Sequence, residues 1–513
     1  MTTAEPSTRR RGGMVRNVLY LGVGQVVTTV LTIFLSASIA RTLGASDFGL
    51  LYLLTSIATF AYVFVDWGHG PYIVREVARH PTRSGELMGS AIVVRAAMAL
   101  VGCAGALATT WLLGYDVRTR VLTAALILAW LPQYLGLSFT WVFRGRERMD
   151  CDALLNVVLK LTTLASSLIC LALGGRLLGL VLVTSIAGVT TMIVGVVVYR
   201  RLDLPPIRAT IDTARELLSD GAPMLAMSLA VAVQPYFDAN ILYKLTARGV
   251  VGWYGAAWNV AGTLVAPAMI IGATMYPRLS RAASDHEEFK RALRSAFRPL
   301  LFVAVLGAVG TYLFADVAIA LIYSKQKFGS AGAILKAFAP ALLLLYVDMM
   351  FGHAILAVGK AGRLAIAKVA AVVITTGLEF VLIPFCQARF GNGGIGIMLA
   401  MGVGEVAMVT AAMLLIRDAI DGGMLIDFLR GLASGGATLL VIRALPSTNP
   451  FLDIPLCLLV FFALSTLTGL VNRRDFELLV TGFRKRTPEV VAAAVLPSPT
   501  VTAAADPPSD RTR

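Results

Sequence analysis

Ala40-Arg41-Thr42-Leu43-Gly44-Ala45-Ser46-Asp47-Phe48-Gly49 is a short polar turn with two glycines, set between apolar runs long enough to cross a bilayer. A related turn, Ala247-Arg248-Gly249-Val250-Val251-Gly252-Trp253-Tyr254-Gly255, separates two more such runs in the second half of the chain. A turn that returns in this way reads as a membrane protein built from two related bundles, an arrangement that holds a substrate pathway between them.

Composition agrees with that reading. Of 513 residues, 57% are hydrophobic and 15% charged, with a mean hydropathy of +0.77. A soluble domain carries about 25% charged residues. Apolar stretches of about 20 residues recur throughout, which is the length of a spanning helix; the ~10-residue alternation of a spanning β-barrel is absent. The formal charge of +15 sits at helix ends, so nucleic acid is not the expected partner. Five cysteines and four histidines follow no metal or redox spacing, and neither a metal nor a cofactor is expected.

Outward from the first turn, the apolar runs predict about 14 spans, the first six near 16–40, 48–67, 87–113, 121–143, 153–174 and 177–199. After the basic stretch 200–220 come 221–245, 250–276, 298–322, 331–358, 363–386 and 394–416, then a final pair near 425–445 and 454–471. The expected fold is an all-α polytopic membrane protein, with two six-helix bundles in parallel repeat and a C-terminal helix pair. Its parts are a disordered cytoplasmic N-terminus (1–13), a first bundle (14–200), a cytoplasmic linker (201–220), a second bundle (221–417), two further helices (418–475) and a mostly disordered cytoplasmic tail (476–513). Arg9 to Arg11, Arg75, Arg79, Arg144, Arg146, Arg148, Arg200, Arg201 and Arg278 all fall on one side of this topology. The positive-inside rule then puts both termini in the cytoplasm. Ser284-Asp285-His286-Glu287 has capping-box spacing, and Phe289, Leu293 and Phe297 repeat every four residues, predicting an amphipathic helix that leads into the ninth span.

The repeat also aligns charges inside the spans. Arg95 corresponds to Arg298 and Lys160 to Lys368, four cations in the cytoplasmic third of the two bundles. Two readings stand side by side. Long basic stems can snorkel to the headgroups, or the four line a cavity for an anionic headgroup, Arg by its fork and Lys as a point charge. In-span carboxylates concentrate in the second half, at Asp238, Asp348, Glu379 and Glu405. They are candidates for ion coupling or for structural pairing, Asp348 with Lys368 for instance. Beside Asp238, Pro235 is a position where the helix can break.

The turn at 40–49 resembles the signature of bacterial polysaccharide-export flippases. So do Asp66-x-Gly68 followed by Val74-Arg75-Glu76, Phe143-Arg144-Gly145-Arg146 ahead of the fifth span, and Asp238 ahead of the turn at 247–255. The likeness covers roughly residues 14–475 in span order. It implies an O-antigen or other lipid-linked oligosaccharide flippase of the multidrug/oligosaccharidyl-lipid/polysaccharide exporter superfamily, working by alternating access in the bacterial cytoplasmic membrane. The implied substrate is a polyprenyl-pyrophosphate-linked oligosaccharide; the implied partners are membrane lipids, a polysaccharide polymerase and glycosyltransferases. A lipid II flippase and a cation-coupled multidrug exporter of the same fold are the alternatives. Short turns without a catalytic constellation argue against an enzyme.

Overall fold

The computed structural model describes residues 8–445 and 449–471, and all regular structure among them is helical. The first half comprises α1 (Thr8–Asp66), α2 (His69–Arg79), α3 (Ser84–Leu112), α4 (Val117–Gly145), α5 (Met149–Ala172) and α6 (Leu177–Arg201). The second comprises α7 (Ile211–Leu245), α8 (Arg248–Ala282), α9 (His286–Ile322), α10 (Lys325–Ala357), α11 (Ala361–Phe390) and α12 (Gly394–Leu415), followed by α13 (Gly422–Ala444) and α14 (Pro450–Leu467). Eleven described helices are long and apolar enough to cross a membrane. The fourteen predicted spans map in order onto these elements, with the first two joined in α1 and α2 lying between spans. Residues 476–513, expected to be a disordered tail, lie outside the described residues. Residues 1–7 of the N-terminal tail do so too, while α1 already begins at Thr8.

The turn at 40–49 is tighter than the sequence implied. Only Gly44 leaves helical geometry, with φ 77° and ψ 173°, a region that favours glycine. Ser36 and Tyr52, equally far to either side of it, both meet α8. Asn259 donates to Ser36 Oγ at 3.0 Å, and the Tyr52 and Tyr254 rings meet edge to face at 5.7 Å. The arms of α1 therefore both run down α8 from Gly44.

The two echoing turns touch each other. A Cβ at Gly49 would collide with the carbonyl oxygen of Arg248, and one at Gly252 with that of Ala45. Backbone lies on backbone, the packing that small residues permit between membrane helices. Around this contact, at what we call the tip end, Arg41 donates to the Leu321 and Tyr323 carbonyls at 2.5 and 2.6 Å, capping the end of α9. Lys327 returns a bond to the Arg41 carbonyl at 2.7 Å.

At the opposite, linker end the chain is strapped down. Residues 204–210 carry no regular structure and run along α3, where Gly85 and Gly89 leave no room for a Cβ under the Pro206 and Arg208 carbonyls. Thr210 caps α7 through Thr213 and bonds Ser90 Oγ at 3.1 Å. The segment read as a linker over 201–220 is thus half helix. Its Glu216 takes a bond from Arg83 at 2.8 Å and another from Tyr72. α2 lies in the stretch between the second and third spans that reads in the sequence as a loop, and it buries His69, Gly70, Tyr72, Ile73 and Val77 against this end. At α9 the cap is Asp285, accepting from Glu287 N at 2.9 Å, one residue later than the capping-box reading. Phe289, Leu293 and Phe297 are buried as expected, and the amphipathic segment continues into the ninth span without a break.

Two outcomes follow. Gly49→Ala and Gly252→Ala should each cost about 1–3 kcal/mol by forcing the tips apart, read as a lower Tm in detergent; an unchanged Tm would mean that the tips do not bear on each other. Glu216 lies ahead of the apolar part of α7, and the Arg83 hydrogen bond holds its carboxyl below the usual glutamate range. Its stabilisation is therefore present at neutral pH and lost as pH falls below about 4.3. Hydrogen exchange over 204–216 should rise in that acid range, and Glu216→Gln should raise it at pH 7 and flatten the pH step.

Candidate functional site

The first half does not have one continuous core. One cluster surrounds Leu54, Tyr62, Leu126 and Val181 toward the tips; another surrounds Ile73, Met88, Phe139 and Tyr199 toward the linker end. Arg95 on α3 lies between them, 1% exposed. Its guanidinium donates to Ser138 Oγ at 2.5 Å, to the Tyr134 carbonyl and to Asp66 at the end of α1. The Trp141 ring covers it at 3.9 Å. Burying a cation at such depth requires a partner charge and hydrogen-bond acceptors; this shell supplies the charge and acceptors for both terminal nitrogens, while Nε is buried without a partner among the described residues. The Asp66 side chain keeps 42% of its surface against 2% for Arg95. What the pair presents outward is therefore the carboxylate, and a ligand reaches Arg95 only if the pair separates.

Arg298, the repeat counterpart on α9, also meets an aspartate, Asp427 on α13, at 2.7 Å. Arg430 binds the same carboxylate at 3.3 Å. In the sequence Asp427 and Arg430 interrupt the apolar run near 425–445. Their i, i+3 spacing was the available signal. The lysines differ from the arginines. Lys160 is half-buried on α5 and makes no hydrogen bond or ion pair among the described residues. Lys368 on α11 is exposed and interacts electrostatically with Asp348 on α10 and Glu405 on α12. The four cations are thus not gathered into one shell. Each stands within its own half.

The carboxylates form two groups. Asp238 on α7 is 4% exposed and accepts from Tyr254 Oη at 2.9 Å and from Gln234 Nε2 at 2.6 Å. Gln234 Nε2 also reaches Glu379 on α11 at 3.0 Å, so one amide nitrogen bridges the two carboxyl groups. Two carboxylates so placed need a proton or a cation between them. The second group is Asp348, Glu405 and Lys368. α7 is helical from end to end, so Pro235 does not break it. Gln234 and Tyr254, which join Asp238 to its neighbours, carried no signal of their own in the sequence.

The sequence profile of the polysaccharide biosynthesis protein family matches residues 14–283, more than half of the chain. The chain belongs to that family. Solved structures share its fold. The lipid II flippase MurJ in an inward closed conformation superposes with a TM-score of 0.69 at 14% identity, over 90% of this chain and 100% of that one. An inward-facing multidrug resistance MATE family transporter of the MOP superfamily gives 0.62 at 15% identity, over 82% and 98%. A MOP superfamily transporter from Pyrococcus furiosus gives 0.52 at 14% identity, over 83% and 96%. Among curated proteins no sequence matches.

The Arg95–Asp66 shell makes an asymmetric prediction. Asp66→Asn strands a buried guanidinium and should cost about 3 kcal/mol or more, while Arg95→Gln leaves a carboxylate that is still partly open and should cost less. In thermal or denaturant unfolding the double variant should be less destabilised than the sum of the two. Strict additivity would mean that the residues do not act as a pair.

Proposed function

We propose that this protein is a flippase that moves a polyprenyl-pyrophosphate-linked oligosaccharide from the inner to the outer leaflet of the bacterial cytoplasmic membrane. The observation that carries the reading is the pair of matching halves joined through their echoing tips, each holding an in-span arginine and lysine. Membership of the polysaccharide biosynthesis family supports the glycan part of the substrate. The diphosphate accounts for cations rather than anions at the repeated positions. The positive-inside bias puts the tips outside, so the contact around Gly49, Gly252 and Arg41 is the outer gate, closed here. Alternating access opens it once the headgroup has entered from the cytoplasmic side. Arg95, Lys160, Arg298 and Lys368 are the proposed substrate contacts. The two arginines exchange Asp66 and Asp427 for the diphosphate, and the lysines need no such exchange.

Asp238 and Glu379 form the proposed coupling site, with Asp348 and Glu405 as its neighbours in the same half. Binding an ion between two buried carboxylates changes the charge that α7 and α11 carry through the cycle. The molecule works as a carrier and not as an enzyme. One second reading, a lipid II flippase, draws on the likeness to MurJ along nearly the whole chain; lipid II shares the polyprenyl diphosphate.

Depletion should cause a lipid-linked oligosaccharide to accumulate on the inner leaflet. Accumulation of the cell-wall precursor would favour the second reading, and drug or dye sensitivity without glycan accumulation would mean drug export instead. Gln at Arg95, Lys160, Arg298 and Lys368 together should abolish export with membrane levels kept. Normal export by that variant would remove the four cations from the mechanism.

A further inference from the structure

The second half contains a row of buried oxygens without partners. Gln234 Oε1, Glu379 Oε2, Thr376 Oγ1, Glu405 Oε2 and Asp348 Oδ1 are all buried, and none has a hydrogen-bond partner among the described residues. Buried polar atoms are nearly always satisfied by protein or by ordered water, so five on neighbouring helices mark a hydrated line.

Helix registers order that line. α11 and α12 run antiparallel, with Gly396 against Leu382 and Gly404 against Thr375. α10 and α12 run parallel, with Gly394 against Ile334 and Gly402 near Ala341. Glu405 is therefore level with Thr375, and Asp348 lies about one turn nearer the linker end. Lys368 lies further along the same side of α11. From Glu379 to Lys368 the series Glu379, Thr376, Glu405, Asp348, Lys368 descends ~16 Å at ~1.5 Å per residue. Measured along the helix axis, successive groups are ~6 Å or less apart, and ordered water is what would join them across the helices. The ladder begins buried and ends exposed at Lys368.

We propose that the coupling ion is the proton, and that it travels between the linker end and the Asp238–Glu379 pair along this ladder. The proposal rests on the reading of that pair as the coupling site. Each step passes one proton from a carboxylic acid through water, or through the Thr376 hydroxyl, to the next carboxylate; no other bond changes. The ionisable groups facing the line are Asp238 on α7, Tyr254 on α8, Tyr52 on α1, Asp348 and His353 on α10, Lys368 and Glu379 on α11, and Glu405 on α12. Lys368 stands at the mouth of the ladder, beside Asp348 and Glu405. The first half has no equivalent, because Lys160 has no carboxylate paired with it among the described residues.

The test uses the full chain in liposomes, a rapid pH jump, and the infrared carbonyl band of protonated carboxyl groups. The part of the band that is lost in Asp238→Asn/Glu379→Gln reports the pair. In Asp348→Asn/Glu405→Gln that part should reach the same endpoint at least tenfold more slowly. Should that variant not fold, Thr376→Val provides the same measurement with a smaller change. An unchanged rate would overturn the ladder. Loss of the pair's band on adding sodium at constant pH would overturn the proton in favour of a metal cation. Export in cells separates the two levels: full export by Asp238→Asn/Glu379→Gln would defeat the coupling site itself, whereas an unchanged protonation rate with export still dependent on the pair would defeat only the ladder.

Discussion

Everything at the closed end depends on two backbones meeting where Gly49 and Gly252 leave no side chain between them. In lipid, exclusion of water does not press helices together, so association rests on close packing and polar contacts. The glycines provide the first. Arg41 and Lys327 provide the second through carbonyls at helix ends, where the backbone already concentrates negative charge near the last turn of α9. None of these contacts is a buried ion pair. Each can be released separately and remade, which suits a gate more than a permanent joint.

Deeper in the halves the rule reverses. Arg95 and Arg298 each hold an aspartate from another helix, and truncating either partner would strand a charge. The price of keeping a cation in the bundle is an anion beside it, and here that anion decides what faces outward. Asp66 stands open while Arg95 is enclosed. Charge inventory alone would have shown the arginine and not the carboxylate that pairs with it.

How much of this was legible is clear from particular residues. Span positions could be read because ~20 apolar residues have no other stable home, and the echo of the tips could be read because tight reversals need glycine. Asp66 as the partner of Arg95 could not, since the pairing crosses two helices and no local pattern encodes it. α2 looked like a loop because it has only eleven residues, although His69, Ile73 and Val77 already carried its i, i+4 face. The strap over 204–210 was hidden for a similar reason. Gly85 and Gly89 were visible, but what they made room for was not. The five cysteines, whose spacing in the sequence fits neither metal nor redox chemistry, are free thiols, buried or half-buried.

That strap sets the mechanics of the whole molecule. The opening turns of α7 are bonded to Trp67 just past α1, Tyr72 on α2, Arg83 just ahead of α3 and Glu86 in its first turn, although α7 belongs by sequence to the second half. The second half therefore hangs from a bracket bolted to the first. A rocking motion that parts the tips cannot pivot at the linker. The flexure must fall farther along α7, where Pro235 removes one rung from the helical ladder and lowers the bending stiffness next to Asp238. In the proposed cycle the axle and the acid pair share one stretch of helix, which puts the proposed coupling site at the hinge with almost no lever arm between them.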